Sequence, residues 1–250
     1  MRVTICDSKK EIGLCAAKEG AAYINEAVNA RGEANVVFVT GKSQVDTLFN
    51  LAKQDIDWSK VNIFHLDEFI GLDPESTASS QFFIREYLFS AIGKVKSYTP
   101  IDPEEKNLKR TLKELNETMK SHPLDVAFIC IGENGHLAFN DPPADLDTTD
   151  PYIVVELQKR SRRQQVSEGW FQNLDMVPHK AITMSINEIM TSKHIIVSCP
   201  DQRKAKAVAG CLFDDISLLS PAAVLRRAYD CSLYLDRQSS SLVFSDGRTY

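Results

Sequence analysis

Apolar and polar positions follow one another in short blocks whose spacing predicts strands alternating with helices. Val3 to Cys6 is a short apolar run and reads as a strand. Leu14, Ala17, Ala21, Ile24 and Val28 then fall at steps of three and four, the face of one helix. Asp7 or Ser8 can cap that helix, which runs to about Arg31 and stops at Gly32. Four consecutive apolar residues, Val36 to Val39, predict a strand buried on both faces, with a helix following to about Lys53. Further strands are expected at 61–66, 126–131, 152–157, 181–185, 194–199 and 231–235. Helices are expected through Phe82, Ile84, Tyr87 and Leu88, and over about 103–121 with Leu108, Leu112, Leu115 and Met119 on one stripe. Shorter helices are expected at 162–168, 187–191, 202–212 and 221–227. Residues 238–250 are polar and read as a last short helix or a loose tail. Strands that are apolar throughout and alternate with helices predict an α/β fold: one open, mostly parallel sheet with helices on both faces, a modified Rossmann-like arrangement. With no repeat or long linker in sight, residues 1–250 read as a single domain.

Composition changes this picture little and narrows the partners. The 250 residues are 43% hydrophobic and 25% charged, ordinary values that exclude a disordered, collagen-like or disulfide-miniprotein chain. Lys plus Arg number 29 and Asp plus Glu 34, a net charge of −5, so neither nucleic acid nor an anionic membrane surface is an expected partner. No stretch approaches the roughly 18 apolar residues of a membrane helix, and Asp7 interrupts any signal-peptide core, so a cytoplasmic location is expected. The six cysteines form no C-x-x-C pair and lie mostly in apolar runs, which suits buried free thiols. No Cys and His spacing fits zinc, and no metal is expected.

Candidate chemistry lies at four polar segments that follow predicted strands, the side of a parallel sheet where ligands bind. Thr40-Gly41-Lys42-Ser43 offers a glycine and free backbone N–H groups to an anion, or is an ordinary capped turn. It is not a nucleotide P-loop, because position 36, where the first glycine belongs, is Val36. Asp67 and Glu68 end a buried strand, where an acid can shuttle protons or merely cap a helix. The run from Gly132 to Asp141 is the densest: Gly132-Glu133-Asn134-Gly135 leads into His136, which can titrate near neutral pH, and Asp141 can orient its imidazole. Lys204 opens a helix whose dipole opposes a cation unless an anion binds there; the alternative is a solvated lysine. Arg160, Arg162 and Arg163 form a further basic cluster, either an anion pocket or a solvent-facing helix.

These residues resemble a known family over nearly the whole chain. Leu66-Asp67-Glu68-Phe69-Ile70-Gly71-Leu72 and Gly135-His136-Leu137-Ala138-Phe139-Asn140-Asp141-Pro142 are similar to segments of the glucosamine-6-phosphate deaminases, in a superfamily shared with 6-phosphogluconolactonases and ribose-5-phosphate isomerases. The A-F-N after the His is the deaminase form; lactonases usually continue with T-A-S. The resemblance implies an aldose–ketose isomerase and deaminase acting on a phosphorylated amino sugar without metal or organic cofactor. It implies Asp67 as the base moving a proton between C2 and C1, His136 as the ring-opening residue, and Asp141 as its supporting carboxylate, usually Glu. Asn134 stands where many members carry Asp. Thr40, Gly41, Lys42 and Ser43 stand at the phosphate loop, Lys204 at the phosphate-binding lysine, and Arg162 or Arg163 at the phosphate-binding arginine. Assemblies in the family vary, and a homo-oligomer is among the states it implies. A lactonase or related isomerase on the same scaffold, and a non-catalytic sugar-phosphate sensor, are the alternatives.

Overall fold

The computed structural model describes residues 1–243. Strand β1 (Arg2–Cys6) leads into helix α1 (Lys9–Arg31), followed by β2 (Ala34–Phe38), α2 (Val45–Leu51) and β3 (Val61–His65). Then come β4 (Asp67–Phe69), α3 (Ser80–Ile84), which passes into a π-helical turn over Arg85–Phe89, β5 (Ser97–Thr99) and α4 (Leu108–Ser121). The remainder comprises β6 (Val126–Ile129), β7 (Tyr152–Glu156), α5 (Lys159–Ser167), β8 (Lys180–Met184), α6 (Ile186–Met190), β9 (His194–Cys199), α7 (Ala205–Phe213) and β10 (Cys231–Asp236).

The caps of α1 follow the sequence signals: the Ser8 side chain accepts from the Glu11 N–H, and Gly32 takes φ 82° and donates its N–H to the Val28 carbonyl. Leu14, expected on the inner face, is 50% exposed. The buried face is instead centred on small residues, Gly13, Ala16, Ala17 and Gly20, beside Ile12 and Ile24. A Cβ on Gly20 would lie 2.2 Å from the Phe128 ring, so the helix approaches the sheet too closely there for a larger side chain.

Seven parallel strands form the main sheet in the order β5-β3-β2-β6-β9-β10-β1. The chain runs outward from β2 through β3 to β5, then returns to β6 beside β2 and continues outward to β9 and β10. The order therefore reverses between β2 and β6, the position where an open α/β sheet leaves a crevice at its carboxyl ends. Both faces are covered: Val36 and Phe38 pack with Ile12 and Leu48, while Val37, Ala127 and Val197 pack with Leu115, Met119 and Val208. This two-sided burial is why β2 and β3 read as unbroken apolar runs.

Two of the strands expected in the main sheet lie elsewhere. β7 and β8 pair antiparallel with each other, and β8 with β4, in a separate three-stranded sheet. After the buried Tyr152, β7 alternates half-buried and exposed residues, with Val154 37% exposed, as suits a strand covered on one face. Leu66 joins the sheets: its N–H donates to the Phe38 carbonyl of β2, and its carbonyl accepts from Met184 of β8. Asp67 follows at this junction. The short strand β5 has no apolar run to signal it, and residues 221–227 form a 3-10 helix. Beyond β10 the described chain turns back so that Val243 is fully buried; the rest of the expected tail, 244–250, lies outside the described residues.

Candidate active site

The four polar strand ends meet. Thr40 to Ser43 after β2, Asp67 after β3, Cys130, Gly132 and His136 after β6, and Pro200 to Lys204 after β9 border one cavity at the switch point of the sheet. Segments far apart in sequence are brought together because parallel strands place all their carboxyl ends on one side.

At one end of this cavity the groups suit an anion. Gly41 takes φ 115°, a conformation that favours glycine. Lys204 lies at the end of a 3-10 turn just before α7 and is only 6% exposed, and its ammonium has no hydrogen-bond or ion-pair partner among the described residues. Burial works to lower its pKa, but the Cys130 and Cys199 sulfurs with Glu168 and Glu133 outweigh burial and raise it, so it is held as a cation. Lys42 places its ammonium 5.5 Å from the centre of the Trp170 ring, and Lys9 donates to the Lys42 carbonyl at 2.6 Å.

The basic cluster on α5 is a correction. Arg162 is buried away from the cavity, donating to the carbonyls of Val177 at 2.8 and 3.1 Å and of Leu174 at 2.7 Å. Arg163, one position round the helix, is exposed and borders no part of the cavity. The residues of this region that do border it are Gln164, Gln165, Glu168 and Trp170. The arginine that borders the cavity is Arg203, outside the basic cluster of α5. It pairs with Asp201 at 2.9 Å and Glu133 at 3.3 Å.

Proton-carrying groups line the rest of the cavity. The two adjacent acids divide. Glu68 accepts from the Ser79 hydroxyl at 2.7 Å and from the N–H groups of Phe69, Ser80 and Gln81, which ties it to the start of α3. Asp67 is 5% exposed and faces the cavity; among the described residues only the Ser80 hydroxyl, 3.3 Å from Oδ1, donates to its carboxyl group. Burial and the neighbouring Glu68 push Asp67 up to about 7, against the hydrogen bond from Ser80. Ser80 lies 3.0 Å from the Thr40 hydroxyl, linking Asp67 to the anion loop. Behind Asp67, His65 is fully buried; Ile101 N–H donates to its Nε2, so Nδ1 carries the proton toward the Asp67 carbonyl.

His136 lies flat on Gly132, where a Cβ would come within 2.1 Å of Nε2. Its Nδ1 is 3.3 Å from Asp141 Oδ1, with the hydrogen-bond alignment imperfect. Burial pushes the Asp141 carboxyl up, but the His136 imidazole, the Ser161 hydroxyl and the Asn134 amide together hold it at about 2. Asn134 does not face the cavity. Its amide donates to Asp141 Oδ1 at 2.8 Å, and its carbonyl accepts from the His136 N–H at 3.2 Å. Asn134 and Asp141 thus hold His136 from behind.

A parallel sheet with a carboxyl group and an imidazole facing a buried cation across one crevice defines an α/β enzyme acting on a small anionic substrate. The family model described as glucosamine-6-phosphate isomerases/6-phosphogluconolactonase matches residues 7–232, and the chain belongs to this family. It is 30% identical to a glucosamine-6-phosphate deaminase of Lactobacillus helveticus over 96% of each chain. It is 28% identical to one of Lactobacillus delbrueckii subsp. bulgaricus over 97% of this chain and all of the other. Among solved structures, a monomeric glucosamine-6-phosphate deaminase superposes with a TM-score of 0.87 at 26% identity, covering 97% of this chain and all of that one. A 6-phosphogluconolactonase of Trypanosoma brucei superposes at 0.77 with 17% identity, covering 96% of this chain and 97% of that one, and shares the fold. No helix among the described residues is long and apolar enough to cross a membrane.

Proposed function

We propose that this protein converts D-glucosamine 6-phosphate and water to D-fructose 6-phosphate and ammonia. The observation that carries the reading is the pairing of Asp67, a buried carboxyl group pushed up to about 7, with a buried ammonium, Lys204, that has no partner among the described residues and borders the same cavity. The phosphate would be held by Lys204 with the Thr40–Ser43 loop, and Lys42 and Arg203 would supply further positive charge. His136 would carry the proton from the anomeric hydroxyl to the ring oxygen and open the ring. Asp67 would remove the C2 proton and return it to C1, leaving a ketimine at C2. Water would add to that carbon and ammonia would leave. Each step is a proton transfer or an addition of water, chemistry that positioned side chains supply. Six free thiols suit a reducing compartment, and we place the reaction in the cytoplasm.

Ammonia release from glucosamine 6-phosphate, with galactosamine 6-phosphate and 6-phosphogluconolactone alongside, tests the reading. Ammonia from an amino-sugar phosphate is expected. Lactone hydrolysis without ammonia would make the protein a lactonase, and binding without turnover would make it a sensor.

Lys204→Ala tests the anion end separately. Losing one charge-assisted contact costs about 1.5–3 kcal/mol, so KM should rise about 10- to 100-fold while kcat changes little. An unchanged KM would remove Lys204 from the phosphate site.

A further inference from the structure

The anion end of the cavity also contains a sulfur that the proposed reaction does not use. Cys130 follows β6, is partly accessible, and borders the cavity with Ser43 and Lys204. Its Sγ lies 3.4 Å from the Ile131 carbonyl, and Cys199 Sγ lies 3.8 Å from the same oxygen, so the two thiols are neighbours. Lys204 is nearly fully buried, and its ammonium, without a hydrogen-bond or ion-pair partner among the described residues, presents its charge to this sulfur as well as to the cavity.

We propose that Cys130 is a modification site that closes the anion pocket: a hydroperoxide or small electrophile that reacts at its sulfur leaves no room for a phosphoryl group beside Ser43 and Lys204. The inference rests on the anion-binding part of the proposed function. With hydrogen peroxide, the Cys130 thiolate attacks one peroxide oxygen. The S–O bond forms as the O–O bond breaks, hydroxide leaves, and the sulfur is oxidised to a sulfenic acid while the peroxide is reduced. With iodoacetamide, the S–C bond forms and iodide leaves.

The surroundings favour the thiolate. A hydrogen bond from the Cys199 thiol, the Lys204 charge and the Ser43 hydroxyl hold Cys130 below the ordinary thiol range, against burial and the Glu168 carboxylate. Burial instead pushes Cys6, Cys211 and Cys231 up to about 12, and Cys199 is driven upward by its bond to Cys130 and by burial. Cys15, half-buried on α1 and away from the cavity, serves as an internal reference.

The test is alkylation of the full chain by iodoacetamide, followed cysteine by cysteine by mass spectrometry. At pH 7, Cys130 should react about two- to threefold faster than Cys15, because the thiolate gained by its lowered pKa only modestly outweighs the lower nucleophilicity of such a sulfur. Its rate should fall on the acid side with a midpoint below that of an ordinary thiol. Inorganic phosphate should slow alkylation at Cys130 and leave Cys15 unchanged, and Cys199→Ala should slow Cys130 at pH 7 by removing the donor. Equal rates at the two cysteines, or no protection by phosphate, would overturn the proposal. Activity then separates the two readings. Ammonia release that survives stoichiometric oxidation of Cys130 by hydrogen peroxide sinks the closing role alone. Phosphate-protected alkylation without any ammonia release sinks the catalytic reading alone.

Discussion

Asp67→Asn is expected to reduce ammonia release by 10³-fold or more and, above pH 7, to make the protein more stable. A positioned general base contributes about 10²–10⁴-fold, and Asp67 would act at both C2 and C1. The stability gain comes from the burial that equips the residue for the task. Burial and Glu68 raise the Asp67 carboxyl from 3.8 to about 7. The native state therefore binds a proton more tightly than the unfolded chain. Its carboxyl group carries no penalty below about 4, where both states are protonated, and becomes progressively costly as pH rises from about 4 to about 7. A shift of roughly three pKa units corresponds to an upper limit of about 4 kcal/mol. Asparagine does not ionise, so the variant should gain about 1–3 kcal/mol at pH 8 and almost nothing at pH 4. At about 2–4 °C per kcal/mol, Tm should rise by several degrees at the higher pH. The same titration predicts that kcat/KM of the parental protein falls about tenfold per pH unit below about 7. Thermal melts at pH 4 and pH 8 with ammonia assays across that range check both sides. Retained activity would remove Asp67 as the base, and a stability change independent of pH would remove the charged buried carboxyl.

The fold was legible wherever a strand is buried on both faces. Val36 to Phe38 and Ile195 to Val197 have no polar position to confuse the pattern, and the polar residues that follow such strands pointed to the cavity. The reading failed where pattern and packing part. Tyr152 to Glu156 and Lys180 to Met184 are apolar enough for the main sheet, but their antiparallel pairing depends on Leu66 bonding to both sheets, a tertiary fact. Hydrophobicity weights large side chains and so puts Leu14 inside, whereas α1 packs through small ones. In the site, charge misled: Arg162 is spent on the carbonyls of Leu174 and Val177, while Arg203 stands next to the lysine already singled out. A helix register uncertain by one residue decides which of 162 and 163 points inward, and spacing alone does not fix it. Asn134 shows the converse. Its neutral side chain, as a donor to Asp141 and an acceptor from the His136 N–H, makes two hydrogen bonds that an ionised carboxylate there could not both make.

Gly132→Ala should lower kcat by about 10²-fold or more while leaving KM within a few-fold of the parental value. A Cβ at this position would lie 2.1, 2.2 and 2.4 Å from Nε2, Cε1 and Cδ2 of His136, closer than carbon and nitrogen atoms can approach. The backbone has little freedom to yield, because the Gly132 N–H donates to the His136 carbonyl at 2.9 Å and its own carbonyl accepts from Gly135 at 3.0 Å. The imidazole must therefore rotate away, and with it goes the 3.3 Å contact with Asp141 that orients it. Displacing a proton-transfer group by about 1 Å costs about 10²-fold through lost alignment. Thr40 to Ser43 and Lys204 belong to other strand ends, so phosphate binding should survive and the loss should fall on kcat. Gly93→Ala is the matched control, since a Cβ there meets nothing within 4 Å. Inorganic phosphate protection of the Gly132→Ala chain against thermal unfolding separates a displaced His136 from a collapsed site. Turnover within threefold of the parental protein would show that His136 does not need its place on Gly132, and would remove it from ring opening in the form proposed.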